Sequence, residues 1–199
     1  MSCCPRLPKK NFSALLRLDH NRSIHQLAKK LNLLSTASVK NVVVWGNRAN
    51  TMYADYRFSM FTDSSNNDIS VKDYINDEIW NRNTFIPTVS TRGSAIIEAR
   101  GMSSCASAAN AIVDHIHDWV LGTPAGKWTT MGVPSDGSYD IPKDVVFGFP
   151  VTCSGDGEYH IVQGLDLYND EFAKQKIAAT LGELMEEKSA VENTIQKLK

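Results

Sequence analysis

Arg17-Leu18-Asp19-His20-Asn21-Arg22 sets a carboxylate, an imidazole, an amide and guanidinium groups within little more than one helical turn, inside an otherwise apolar stretch. Such a set can orient and charge an acid–base group and grip an anionic substrate. A carboxylate stabilises a neighbouring cation, and a guanidinium fork holds a carboxylate bidentately. On a helix Asp19 and Arg22 share a face, so the same residues also read as an ordinary surface ion pair worth roughly 0.3 kcal/mol. A second candidate, Trp45-Gly46-Asn47-Arg48-Ala49-Asn50, leaves the end of a β-branched run through a glycine. Strand ends favour chemistry, because a rigid strand positions the group and the loop exposes it. His20 points to a different helix face from Asp19, and His25, His115, His117 and His160 read as surface or packing residues. His115-Ile116-His117 on a helix turns its rings apart, which is not metal-ligand spacing.

The elements that must position these groups follow from periodicity. Leu15, Leu16, Leu18, Ile24, Leu27, Ala28 and Leu31 fall at helical spacing and predict a helix from about Ser13 to Leu31. Asn41 to Trp45 predicts a short central strand closed by Gly46-Asn47. Asp63 to Asp68 reads as a turn between two edge strands, the first including Arg57 to Phe61, with a short helix over 71–80 after them. Ser94 to Leu121 repeats its apolar positions at helical period and predicts one long helix, kinked at Gly101. Lys127 to Val133, Val145 to Val151 and Glu158 to Val162 have strand character, separated by turn residues, and predict an antiparallel sheet. A final amphipathic helix starts at a cap, Asn169 or Asp170, with Ile177, Leu181, Leu184, Val191, Ile195 and Leu198 on one face. Without a repeat or linker, this order implies one α+β domain.

At 199 residues and 42% hydrophobic, the chain can bury one sizeable core. Its formal charge is −1 with Lys and Arg dispersed, which argues against nucleic acid as a partner. No apolar run approaches the roughly 20 residues that span a bilayer, and the first ten residues lack the apolar core of a signal peptide. An intracellular, cytoplasmic protein with no membrane partner is expected. Cys3 and Cys4 are adjacent while Cys105 and Cys153 stand singly, so reduced thiols are expected rather than a disulfide framework or metal site.

Taken together, Leu18-Asp19-His20-Asn21-Arg22 followed by Val42-Val43-Val44-Trp45-Gly46-Asn47 resembles cytosolic-type malate dehydrogenase. The likeness continues through Thr91-Arg92-Gly93-Ser94-Ala95-Ile96-Ile97-Glu98-Ala99-Arg100, Ser103-Ser104, Ser107-Ala108-Ala109, Gly122-Thr123-Pro124, Ser135-Asp136-Gly137 and Phe149-Pro150-Val151. It covers residues 7–199 and leaves 1–6 as a divergent N-terminal tail. The resemblance implies the C-terminal, substrate-binding domain of the lactate/malate dehydrogenase family, an antiparallel sheet packed with long helices, without the N-terminal Rossmann domain.

In that family a hydride passes between C2 of malate and a nicotinamide ring while a histidine takes the hydroxyl proton. An aspartate orients the histidine, and arginines clamp the two substrate carboxylates. By resemblance Asp19 is the orienting aspartate, Arg22 grips the C1 carboxylate, and Gly93 and Ser104 line the substrate pocket. The histidine's position, directly after Gly46-Asn47, holds Arg48. With a pKa above about 12, a guanidinium accepts no proton at physiological pH. General-base catalysis contributes about 10²- to 10⁴-fold, so a severe loss of turnover is expected.

The family's dinucleotide turn, Gly-x-Gly-x-x-Gly, has no counterpart here, and Gly155-Asp156-Gly157 reads as a hairpin turn. NAD is thus the cofactor implied by resemblance, with no site for it in this chain and weak or no NADH binding expected. Malate and oxaloacetate are the implied substrates, and a homodimer or a heterodimer with a full-length subunit the implied assembly. Three readings stand: an NAD-dependent oxidoreductase with impaired chemistry, a non-catalytic module that associates with a full-length subunit, and a truncated product with no selected role.

Overall fold

Leu18, Leu27 and Ala28 are buried along one helix, which forms the first layer of the protein. In the computed structural model, which describes residues 6–143 and 145–197, this helix is α1, Arg17–Lys30. Lys29 and Lys30 sit in its last turn, where cations complement the helix dipole. The helix starts later than the periodicity predicts. Ser13 to Leu15 run extended instead, because Ala14 is claimed by a sheet: its N–H donates to Gly132 O at 2.7 Å and its carbonyl accepts from Gly132 N–H at 3.1 Å.

After α1 come β1 (Val39–Lys40), β2 (Val43–Trp45), β3 (Tyr53–Asp55), β4 (Met60–Thr62) and β5 (Asp68–Ser70). β2 pairs antiparallel with β3, Val44 opposite Ala54, and β4 lies between β1 and β5 in a second small sheet. The turn between β4 and β5 forms where expected, with Asp63 accepting from the backbone of Ser65 and Asn67. β4 begins only at Met60, since the Asp55 carboxylate takes both the backbone N–H and the guanidinium of Arg57 and bends the chain before it. The helix expected over 71–80 is two, α2 (Val71–Ile75) and α3 (Glu78–Trp80), split at Asn76, which adopts a left-handed φ of 40°.

The expected single long helix is likewise two: α4, Ile86–Arg100, and α5, Cys105–Leu121. Gly101 does not kink a continuous helix but ends one. At φ +71° it makes the left-handed cap that glycine alone adopts without strain, its N–H donating to Ile97 O at 2.8 Å.

The main sheet is antiparallel as predicted, β6 (Thr129–Pro134), β7 (Val146–Cys153) and β8 (Tyr159–Ile161), with β7 in the middle. Gly155 to Gly157 form the turn between β7 and β8, where the Asp156 carboxylate accepts from Ser154 Oγ and Glu158 N–H. The last helix, α6 (Glu171–Lys197), starts beside Asp170, whose side chain accepts from Phe172 N–H at 3.0 Å. Ile177 is buried and Leu181 and Leu184 half-buried, yet Val191 is exposed, so only the first half of the predicted stripe packs. Leu198, Cys3 and Cys4 lie outside the described residues, while Cys105 is exposed and Cys153 buried, both as free thiols.

The core sits between β2, the main sheet and the helices. Trp45 is its largest fully buried side chain, meeting Tyr139 and Phe149 edge-on and donating its indole N–H to buried Asp55 at 3.0 Å. The fold is α+β, as expected. No helix among the described residues is long and apolar enough to cross a membrane.

Candidate active site

Asp19 lies in the first turn of α1 and is 1% exposed. A buried carboxylate needs compensating charge, and two guanidinium groups supply it: Arg22 Nη1 donates to Oδ1 at 2.9 Å, and Arg48 Nε to Oδ2 at 3.1 Å. Burial pushes the Asp19 carboxyl above the usual carboxylate range, and Arg48 and then Arg22 act in the opposite direction. The motif therefore carries more than a surface ion pair between neighbours on one helix. Its carboxylate joins α1 to the loop after β2.

That loop is fixed at several atoms. Gly46 pairs with Gly148 of β7, accepting its N–H at 2.7 Å, and a Cβ on Gly46 would lie 2.1 Å from Thr180 Oγ1 of α6. The next residue, Asn47, donates its N–H to the same Thr180 oxygen at 2.9 Å. Its side-chain amide donates to Thr51 Oγ1 and to Glu183 Oε2, both at 2.7 Å, and the Thr51 hydroxyl donates to the same carboxylate. Arg48 leaves this anchored turn with its side chain 46% exposed, lining a cleft of 300 Å³ between Leu16, Gly132 and Leu184. Thr180, Glu183 and Thr51 were absent from the sequence reading. Asn47 had a local signal, but partners more than a hundred residues away on a helix have none.

Arg22 faces a different cleft, of 430 Å³, between α1, α4 and α5. Gly93 of α4 is not among the residues that line it, although a Cβ there would lie 3.9 Å from Arg22 Nη1. Ser104 stands apart. It sits half-buried just before α5, its carbonyl accepting from Ser107 N–H at 3.0 Å, and Ser107 rather than Ser104 lines the cleft.

No histidine side chain hydrogen-bonds the Asp19 carboxylate among the described residues. Thr130 Oγ1 accepts from Val44 N–H at 3.1 Å and lies 3.0 Å from His20 Nδ1. Burial, and then the Arg17 charge, lowers the His20 pKa to about 3. It is a neutral bridge between α1 and β6. His115 is also buried, with Nε2 3.1 Å from Ser13 Oγ, and its pKa is lowered by burial and by Arg17. Arg17 itself ties α1 to α5 and β6, donating to Asp118 and to Thr129 Oγ1. His25, His117 and His160 are exposed, and His25 lines the Arg22 cleft.

Likeness to known proteins extends this geometry. Residues 16–195 match the family model described as lactate/malate dehydrogenase, alpha/beta C-terminal domain. The chain is similar to malate dehydrogenase from Naegleria fowleri, at 41% identity and TM-score 0.86 over 96% of this chain and 56% of that one. It is also similar to lactate dehydrogenase from Trichomonas vaginalis, solved in complex with NADH and oxamate, at 32% identity and TM-score 0.92 over 99% of this chain and 59% of that one. The chain therefore spans between 56% and 59% of these two relatives. Malate dehydrogenase from Salinibacter ruber, at 19% identity and TM-score 0.77 over 97% of this chain and 59% of that one, shares the fold.

Proposed function

Since the chain belongs to the lactate/malate dehydrogenase family and has the fold of its C-terminal domain, we propose that it is the substrate-holding part of a malate dehydrogenase-type enzyme whose proton-transfer step is disabled. The observation that carries this reading is the Arg48 Nε to Asp19 Oδ2 contact at 3.1 Å. In the family reaction the substrate hydroxyl must lose a proton as C2 loses hydride. An imidazole accepts that proton and its imidazolium is stabilised by the aspartate. A guanidinium offers only donors, so Arg48 balances the Asp19 charge and receives nothing.

Arg22 keeps its role in this reading. One of its N–H groups is held by Asp19, which fixes the guanidinium, and the remaining donors of the fork serve a substrate carboxylate. Gly93 leaves room beside it. Malate rather than lactate is favoured by the higher identity to a malate dehydrogenase, and the likeness to cytosolic-type motifs favours a cytoplasmic setting.

NAD is the cofactor that the family implies, and it would supply the hydride acceptor. The described residues do not fit its pyrophosphate. The sequence holds no Gly-x-Gly-x-x-Gly string, and Gly155-Asp156-Gly157 is a hairpin turn with a carboxylate in its centre.

The interaction-module reading is favoured by a separate observation. Ile112, Val113, Ile116 and Val120 of α5 are each about half or more exposed, at 51%, 67%, 47% and 49%. Apolar side chains grouped on one helix mark a surface that a second subunit, a copy of this chain or a full-length one, would cover.

Oxaloacetate-dependent NADH oxidation tests the central claim. The chain should show no turnover above background, and turnover at about 1 s⁻¹ or more, the ordinary enzyme range, would overturn the role given to Arg48. With a relative's nucleotide-binding part fused ahead of it, Arg48→His should raise the rate by about 10²-fold or more over the same fusion with Arg48.

A further inference from the structure

The cleft of 300 Å³ at the end of β2 carries charges of both signs that the proton-transfer reading leaves unused. Arg48 lines one side, its Nε held on Asp19 Oδ2 at 3.1 Å and both terminal nitrogens without a partner among the described residues. Asp19 steadies the guanidinium, and the fork of Nη1 and Nη2 is left to donate to two oxygens of one group. Glu187 of α6 lines the same cleft, exposed and without a hydrogen bond or ion pair among the described residues. Glu183, four residues earlier on the same helix face, is already taken by Asn47 and Thr51. Arg48 and Glu187 form no ion pair across the space they share. Asn47, the remaining polar side chain of the lining, is engaged as well, its amide on Thr51 and Glu183 and its oxygen accepting from Ala49 N–H at 3.1 Å. The rest of the wall is aliphatic, with Leu16 buried and Val146 and Leu184 half-buried.

We propose that this cleft binds a free α-amino acid with an aliphatic side chain, its carboxylate on the Arg48 fork, its ammonium on Glu187 and its side chain against Leu16, Val146 and Leu184. A guanidinium and an acid that share a cleft without neutralising one another complement a ligand carrying both opposite charges. The aliphatic wall complements an apolar body beside them. At 300 Å³ the cleft lies at the small end of the range for ligand sites, about 300 to 1,000 Å³, which suits an amino acid better than a cofactor. Arg48 thus gains a ligand-holding role that an imidazole could not fill, since imidazole has no two-pronged donor. The site uses neither the Arg22 cleft nor a dinucleotide, so it is lost or kept apart from the family reaction.

Calorimetric titration of the chain at low salt with leucine, isocaproate, isoamylamine and glycine tests it. Isocaproate and isoamylamine keep the leucine skeleton but lack its ammonium or its carboxylate, and glycine keeps both charges but lacks the side chain. Leucine should bind saturably and at least about tenfold more tightly than each of the other three, the worth of one charge-assisted contact or one buried aliphatic group. Arg48→Gln should lower leucine to the level of isoamylamine and leave that amine within about twofold, because it removes only the carboxylate grip. Glu187→Gln should lower leucine to the level of isocaproate and leave that acid within about twofold. No saturable leucine binding, glycine bound as tightly as leucine, or a leucine preference over both single-charge probes that survives both substitutions would overturn the proposal. Equal binding of leucine and isocaproate, both lost in Arg48→Gln, would overturn the amino-acid assignment in favour of a simple carboxylate site. Both side chains are exposed, so neither variant should unfold at the titration temperature. The ranking of the four probes on the unaltered chain can by itself overturn the proposal.

Discussion

At 1% exposure Asp19 has almost no water to stabilise its charge, so its energy depends on Arg22 and Arg48. The two arginines are not equivalent. Arg22 has a side chain 14% exposed and loses its only ion-pair partner among the described residues if Asp19 is removed, while Arg48 at 46% can turn to solvent. Asp19→Ala should therefore destabilise the chain by about 3 kcal/mol, the low end for breaking a buried pair. Arg48→Ala should cost under about 1 kcal/mol, as an exposed partner does. Urea unfolding of both variants checks the asymmetry, and equal losses would mean that Arg48 is held far more firmly than its exposure implies. The pairing of Asp19 with Arg48 was legible in the sequence, because the chemistry of each residue and its motif set it. The hold of Thr180 and Glu183 on Asn47 was not, since those partners lie more than a hundred residues away.

The same division holds for the elements. The strands of the main sheet and the turn at Gly155 to Gly157 are written locally, in β-branched runs and turn residues. By contrast, the break that makes α4 and α5 from one apolar period depends on Gly101 entering the left-handed region, which periodicity does not register. The seating of α6 against the end of β2 is equally hidden, being a contact between Gly46 and Thr180. Gly46 carries two constraints there: φ is +91°, and a Cβ would come within 2.7 Å of three Thr180 atoms. Gly46→Ala should accordingly cost about 3 kcal/mol or more, combining backbone strain with overpacking. Adding Thr180→Gly should recover only part of that loss, because it relieves the contact but leaves φ unchanged. Thermal unfolding of the single and double variants measures the split. Full recovery in the double variant, beyond the cost of Thr180→Gly alone, would show that contact rather than backbone strain controls this junction.

For the molecule as a whole, two buried histidines join its layers, His20 between α1 and β6 and His115 between α5 and Ser13. Both are held neutral, the first with its pKa lowered to about 3 and the second lowered from its ordinary value, burial being the main cause in each. In the unfolded chain each takes up a proton near about pH 6.5. Below that pH the unfolded state binds more protons than the folded one, so their contribution to stability is complete above about 6.5 and declines as the pH falls. Each neutral histidine contributes a slope approaching 1.4 kcal/mol per pH unit once its unfolded form is fully protonated. The His115 share ends when its own folded pKa is passed, while the His20 share continues to about 3. Asp19 works in the other direction. With its carboxyl raised in the folded state, the folded chain binds the extra proton, so its contribution grows as the pH falls through the carboxylate range. The histidine effect is therefore cleanest between about pH 6.5 and 5, above most carboxylate titration. Urea midpoints should fall steadily across that window at constant m-value. His20→Gln and His115→Gln should each flatten the decline, and a profile unchanged in both variants would mean that neither ring resists protonation in the folded chain.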